Sequence, residues 1–173
     1  DWVTSHSGGC HTPPGPPTSV ADGVGIEDVS STADLSGAQV SFETGAYVST
    51  AQTCIISDSQ SVSNCTGSAV ANWAQTDYDP VGKTAYRSAP LQPASTYKSC
   101  VRLVGHNTLL SAPVCTDGFV VDVSPPLAPT SVGDGTTGDA SQLTLGSSIS
   151  VNFGAPLDQG GGQLDEAYIC WYP

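Results

Sequence analysis

The chain has 173 residues, with 4 Lys and Arg against 16 Asp and Glu, and a formal charge of −12. Such a chain repels phosphate backbones and anionic bilayers, which excludes nucleic acid as a partner. Its longest apolar runs, such as Phe119-Val120-Val121, fall far short of the ~20 residues that span a bilayer, so no membrane insertion is expected in this segment. Asp1 rather than Met opens the chain, which reads as a processed or excised segment.

Charged residues make up 12% and hydrophobic ones 38% of the chain. The apolar residues come in short alternating bursts separated by Ser, Thr, 19 Gly and 13 Pro. That is the texture of many short strands joined by turns, and no window of about 12 residues carries a helical period. An all-β fold with almost no helix is expected.

Six cysteines stand at 10, 54, 65, 100, 115 and 170, and no C-x-x-C spacing occurs. This argues against a structural zinc site and for disulfides formed in an oxidising compartment. A secreted or cell-surface location is therefore expected. Asn64-Cys65-Thr66 is an N-glycosylation sequon.

The chain contains a repeat. Pro13-Pro14-Gly15-Pro16-Pro17-Thr18-Ser19-Val20-Ala21-Asp22-Gly23 returns as Pro125-Pro126-Leu127-Ala128-Pro129-Thr130-Ser131-Val132-Gly133-Asp134-Gly135, eight identities in eleven positions at an offset of 112. Val40-Ser41-Phe42 then meets Val151-Asn152-Phe153 at offset 111, and Cys54 meets Cys170 at 116. Residues 1–12 read as the tail of an upstream segment or a linker, 13–124 as one complete unit, and 125–173 as the first half of a second. A half unit cannot bury both faces of its strands. Either the natural chain continues past 173, which is the expectation, or another chain supplies the missing strands.

In chain order, strand A begins at Ser19-Val20, after a proline run that supplies no ladder donors. Gly23-Val24-Gly25 reads as the turn from A to B. Ala38 to Glu43 is strand B, with Val40 and Phe42 on one face. Ala51 to Ser57 is strand C, and Val62 to Cys65 a short return strand. Lys83 to Ser88 is strand E. Tyr97 to Val104 is the long strand F, with Tyr97, Ser99, Val101 and Leu103 on one face, and Phe119 to Val123 is G. Seven short strands in one unit imply a two-sheet sandwich.

Leu91-Gln92-Pro93-Ala94-Ser95-Thr96-Tyr97, followed by an alternating strand, resembles the tyrosine corner of fibronectin type III domains. In that motif the Tyr hydroxyl ties the E–F turn to nearby backbone. Ser150-Val151-Asn152-Phe153-Gly154-Ala155-Pro156, then Asp158-Gln159-Gly160-Gly161, then Tyr168-Ile169-Cys170-Trp171-Tyr172 resemble the B strand, Gly-rich B–C loop and aromatic C strand of the same family. Phe42 and Phe153 replace its usual B-strand Trp. The resemblance implies tandem fibronectin type III or immunoglobulin-like antiparallel β-sandwiches, the second incomplete. It also rationalises the cysteines: Cys54–Cys65 across the C–C′ return, and Cys100–Cys115 across the F–G hairpin on the outer surface. Cys170 then awaits a partner beyond Pro173 and Cys10 one upstream, with a Cys10–Cys170 pair as the alternative.

Little catalytic chemistry is legible. Gly133-Asp134-Gly135-Thr136-Thr137-Gly138 matches a phosphate-binding fingerprint, but no helix pattern follows it, so it reads as an A–B turn. His6, Cys10 and His11 form the one His/Cys cluster and read as a solvated tail. His106-Asn107 reads as the tip of the F–G loop. Carboxylates gather at Asp77-Tyr78-Asp79, and at Asp22 with Glu27-Asp28. Adjacent loops of a sandwich can supply the six or more oxygens of a calcium site, and Asp77 and Asp79 are weak candidates for it; solvated turns are the plainer reading. No cofactor and no enzyme activity are expected.

The proline runs 13–17 and 125–129 sit at unit junctions, where stiff polyproline II makes successive units a semi-rigid rod. Thr12, Thr18, Ser19, Ser124, Thr130 and Ser131 flank them as O-glycan acceptors. The composition, rich in Ser, Thr, Ala, Gly and Pro and poor in Lys, is similar to large algal surface glycoproteins, including the flagellar-hair (mastigoneme) type. The expected function is that of an extracellular structural or adhesive module in a glycosylated repeat rod or filament. Its partners would be neighbouring repeats, other extracellular proteins or glycans. The alternative is a receptor or ligand-binding ectodomain that uses the B–C and F–G loops, with Trp73 and Tyr78 as a partner strip or sugar platform. A partner strand that completes residues 125–173 is a third possibility.

Overall fold

The residues predicted to face inward on the long strands are buried, and so are several residues between them, because part of the outer face is covered as well. In a computed structural model, residues 12–24, 28–76, 78–79, 83–134 and 150–154 are described. The chain divides into two units, 1–123 and 124–173.

In the first unit, β1 (Thr18–Asp22), β3 (Gly37–Glu43), β7 (Thr84–Ser88) and β6 (Tyr78–Asp79) form one sheet in the order β1-β3-β7-β6. The second sheet runs β2-β10-β8-β4-β5, from β2 (Ser31–Thr32), β10 (Phe119–Val121), β8 (Thr96–Gly105), β4 (Val48–Ser57) and β5 (Ala71–Thr76). A short β9 (Val114–Cys115) also lies against β8. Every pairing is antiparallel except that of β10 with β2. The fold is an all-β sandwich, and no helix among the described residues is long and apolar enough to cross a membrane.

The inward residues of both sheets fill the core. Val40, Phe42, Ala51, Ala85, Val101 and Leu103 form one half. Ala38, Ile55, Leu91, Tyr97, Phe119 and Val121 belong to the other. Tyr97 sits at its edge, and its hydroxyl accepts the Gln92 N–H at 3.0 Å. This is the backbone tie that the tyrosine corner implies.

Three sequence expectations need correction. Val62 to Cys65 is not a return strand: Val62–Thr66 is a 3-10 turn, and the strand that pairs back onto β4 is β5. Asn64 Oδ1 accepts the Ser61 N–H at 3.0 Å, and Asn64 Nδ2 donates to Ser68 Oγ at 2.9 Å. Short polar side chains here offer the backbone local bonds in place of a ladder. Second, the route from A to B is more than a turn, because β2 intervenes and pairs in parallel with β10. The first strand thus crosses from one sheet to the other. Third, Cys100 lies on the outer face of its sheet, yet it is 0% exposed. A second, smaller core of Cys54, Ile56, Cys65 and Cys100, with Val62 and Trp73 against it, covers that face.

In the second unit, β11 (Val132–Asp134) pairs with β12 (Val151–Phe153), matching Val132 with Phe153 and Asp134 with Val151. In the first unit Asp22 likewise faces Val40, and Ala21 faces Ser41. The repeat therefore reproduces the register of its first two-strand ladder. Burial differs: Phe42 is 1% exposed, and its counterpart Phe153 is 41% exposed.

Candidate functional site

Two Asp-Gly turns define the most unusual chemistry among the described residues. The first follows β1, where Gly23 adopts φ +100° and its N–H donates to Gln39 O at 2.8 Å. The loop then closes on itself: Val29 N donates to Asp22 O at 2.9 Å, and Asp22 N donates to Asp28 Oδ1 at 2.8 Å. The second lies between β9 and β10, where a one-residue bulge against β8 ends at Gly118 with φ +118°. A Cβ at Gly118 would come within 2.9 Å of Tyr97 O, so both the backbone angle and the space require glycine.

These turns bring Asp22, Asp28 and Asp117 together, each offering a carboxylate oxygen within 4.8 Å of the others. Asp28 and Asp117 are exposed, whereas Asp22 is 1% exposed. Neither oxygen of the Asp22 carboxylate has a hydrogen-bond partner among the described residues, and Ser99 Oγ has none either. Burial pushes the Asp22 carboxyl up to about 6. The hydroxyls of Thr116 and Ser99 pull it partly back, and the Asp28 and Asp117 charges push it further up. Burial also raises Asp28, the Asp22 N–H opposes that, and Asp117 adds to it.

No Lys or Arg compensates this cluster. The chain holds only 4 Lys and Arg, and each has another engagement. Lys83 pairs with Glu43 at 2.8 Å and Lys98 with Asp58 at 2.7 Å. Arg87 donates to Asn72 O and Arg102 to Gln52 Oε1, both at 2.7 Å. Three carboxylates in one place, without a Lys or Arg among them, form a set of hard oxygen donors.

Of the residues singled out in the sequence, the structure unites Asp22 and Asp28. Asp117 was missed, because its proximity depends on the bulge beside β8. Asp77 lies outside the described residues, as do Glu27, Tyr78's side chain and that of Asp79; the Asp79 backbone pairs with Thr84 in the β6–β7 ladder. His6, Cys10, His11 and Cys170 also lie outside them. Thr12, Thr18, Ser19, Ser124, Thr130 and Ser131 are all exposed.

Cys54–Cys65 and Cys100–Cys115 are disulfides with Cα separations of 5.9 and 4.0 Å. Trp73 is half-buried, with the Arg102 guanidinium 4.4 Å from its ring centre, so it is less a free platform than part of the sheet's outer cover. At the B–C and F–G end, His106 N donates to Tyr47 O at 3.2 Å, and Tyr47 is 83% exposed. Asn107 Nδ2 donates to Thr12 O at 3.1 Å, so the incoming chain lies against the F–G loop.

No protein-family description matches the chain, and no curated protein matches it. Among solved structures it is similar to the FN1–FN3 domains of chicken CNTN1, with TM-score 0.43 and 15% identity over 70% of this chain and 38% of that one. It is also similar to the twitchin kinase region of C. elegans, with TM-score 0.39 and 11% identity over 64% of this chain and 17% of that one. The chain therefore spans well under two thirds of either.

Proposed function

We propose that the chain is a non-enzymatic segment of an extracellular structural or adhesive protein, in which disulfide-stapled sandwiches follow one another in series. The observation that carries this reading is the separation of the two ends of the first unit. The chain arrives beside Asn107 in the F–G loop. It leaves after β10, where Val121 N donates to Ser95 O and Ala94 N to Val121 O, beside the tyrosine corner. Between those points β8 runs 10 residues, or about 30 Å. A module that takes in chain at one end and releases it at the other extends a rod with each copy. The second unit, with the same two-strand register and a similar proline run before it, supports such a series. Two disulfides on one sheet face support an oxidising location.

Exposed Tyr47, Leu109 and Leu110 favour a second reading, a ligand-binding ectodomain that uses the B–C and F–G loops. The Asn107–Thr12 hydrogen bond speaks against it, because a neighbouring segment already occupies part of that end. The mass of the native polypeptide, deglycosylated and unreduced, separates the two. A repeat rod is expected to give several times 17.5 kDa. A mass near 17.5 kDa overturns the serial reading and leaves the ectodomain.

A further inference from the structure

Asp22 is the only carboxylate among the described residues that the fold buries almost completely, and neither oxygen has a well-formed hydrogen bond, although the Thr116 and Ser99 hydroxyls lie beside it. A buried, unpaired carboxylate is among the costliest arrangements a small domain can hold. Substitution by an apolar residue would remove that cost, so the arrangement makes physical sense if something outside the chain meets the charge.

We propose that Asp22, Asp28 and Asp117 bind a calcium ion that ties the first strand of the complete unit to its last. The donors are hard oxygens, which suit Ca²⁺ and Mg²⁺ and exclude soft metals. Their mutual distances of up to 4.8 Å fit the spread around an ion with bonds of about 2.3–2.6 Å. Bonds of about 2.0–2.1 Å, as for Mg²⁺, require a tighter set in near-octahedral order. The Ser99 and Thr116 hydroxyls beside Asp22 are further neutral oxygens at the buried side. The exposed carboxylates of Asp28 and Asp117 lie on the solvent side, from which an ion arrives. Lys98, whose stem passes Gly118, does not compete, since its ammonium is held by Asp58.

The site joins three separate pieces of the sandwich. Asp22 ends β1 in one sheet, Asp28 belongs to the crossover that leads to β2, and Asp117 sits in the bulge before β10 in the other sheet. A bound ion therefore pins the sheet-to-sheet crossover of the incoming strand against the outgoing one. The start of this arrangement recurs in the sequence. Asp134-Gly135 repeats Asp22-Gly23, and Asp139 follows five residues after Asp134, as Asp28 follows six after Asp22.

The test is thermal unfolding of the intact, oxidised 173-residue chain, followed by circular dichroism at neutral pH. The chain is measured in EDTA and in about 2 mM CaCl2 or MgCl2. Calcium is expected to raise Tm by about 5 °C, and magnesium by distinctly less. Asp22→Asn keeps the shape and removes the buried charge, so in EDTA it is expected to melt at or above the parent, with the calcium response gone. A structural Asp22 would instead give a lower Tm in EDTA and an unchanged calcium response. If Asp22→Asn does not fold, Asp117→Asn decides, because its side chain is exposed: loss of the response supports the site and retention overturns it. The proposal also fails if the parent chain shows no calcium shift, or if Asp22→Asn still responds. An equal shift with magnesium overturns the choice of calcium.

Discussion

Cys54 stands directly opposite Cys100 across β4 and β8, yet neither is bonded to the other. Cys54 turns to Cys65 in the 3-10 turn, and Cys100 to Cys115 on the opposite neighbouring strand. Three strands of one sheet therefore carry sulfur in a single row, and Cys65 closes over it. The row explains why an outer sheet face is as dry as a core: the 3-10 turn is anchored by sulfur and lays Val62 and Cys65 over Ile56.

This geometry makes the pairing sensitive to a single substitution. Cys65→Ser leaves the Cys54 thiol beside the Cys100–Cys115 bond. Attack of its thiolate on Cys100 Sγ forms Cys54–Cys100 and releases Cys115 as the thiolate, with no outside oxidant. Peptide mapping after alkylation is expected to find Cys54–Cys100 together with alkylated Cys115. Alkylation confined to Cys54 contradicts the prediction. Removal of the first bridge by Cys54→Ser with Cys65→Ser is expected to cost about 3 kcal/mol in chemical unfolding, with Cys100–Cys115 left in place.

Tyr97 tests the corner. Its ring packs on Phe119 with centroids 6.0 Å apart, and its hydroxyl accepts the Gln92 N–H. Tyr97→Phe keeps the ring and orphans that donor, which is expected to cost about 1–2 kcal/mol in urea unfolding. A loss below a few tenths of a kcal/mol would mean that water replaces the hydroxyl without penalty.

Asp34 gives an acid-side pH dependence. Hydrogen bonds from the Ser36 hydroxyl and the Ser36 N–H hold its carboxyl below the ordinary value of 3.8, and Tyr86 adds to this. A folded-state pKa below the unfolded one stabilises the fold above the unfolded pKa, and that contribution disappears as pH falls through the folded value. The carboxylate is almost fully exposed, so solvent screening keeps the effect small. The Tm difference between the parent and Asp34→Asn is expected to be constant from neutral pH to about 5 and to shrink below 3.8. A difference that persists unchanged into strong acid contradicts this assignment.

The sandwich was legible because its long strands carry large residues two apart on their inward faces. Tyr97, Ser99, Val101 and Leu103 are all buried on one face of β8, and the β3 residues Val40 and Phe42 behave likewise. The proline-led repeat predicted a second copy of the first ladder, and β11 pairs with β12 in the register of β1 with β3. Short local choices were not legible. Val62–Thr66 is a short stretch with an apolar residue and a Cys, too short to show a period, and Ser61, Asn64 and Ser68 satisfy the backbone and one another there. Two-residue strands such as β2 and β9 carry no period at all. The acidic cluster was half visible: Asp22 and Asp28 are near in sequence, whereas Asp117 arrives from the other end of the unit by way of a bulge at Gly118. An isolated Asp-Gly pair between two strand segments is the one signal that pointed there, and many ordinary turns share it.

The last prediction concerns length under load. When the first unit is held at its two ends and unfolded, the segments between bonded cysteines stay folded back on themselves. Their sequence separations are 11 and 15 residues, and the bridges hold their Cα atoms 5.9 and 4.0 Å apart. Because neither segment lies inside the other, their hidden lengths add. Reduction is therefore expected to lengthen the fully stretched unit by about 80 Å, read as the contour increment in single-molecule pulling with and without a thiol reductant. An increment of about half that size would show that only one bridge forms in the native chain. No change on reduction would place both bridges outside the load path, in conflict with a chain that arrives beside Asn107 and leaves after Val121.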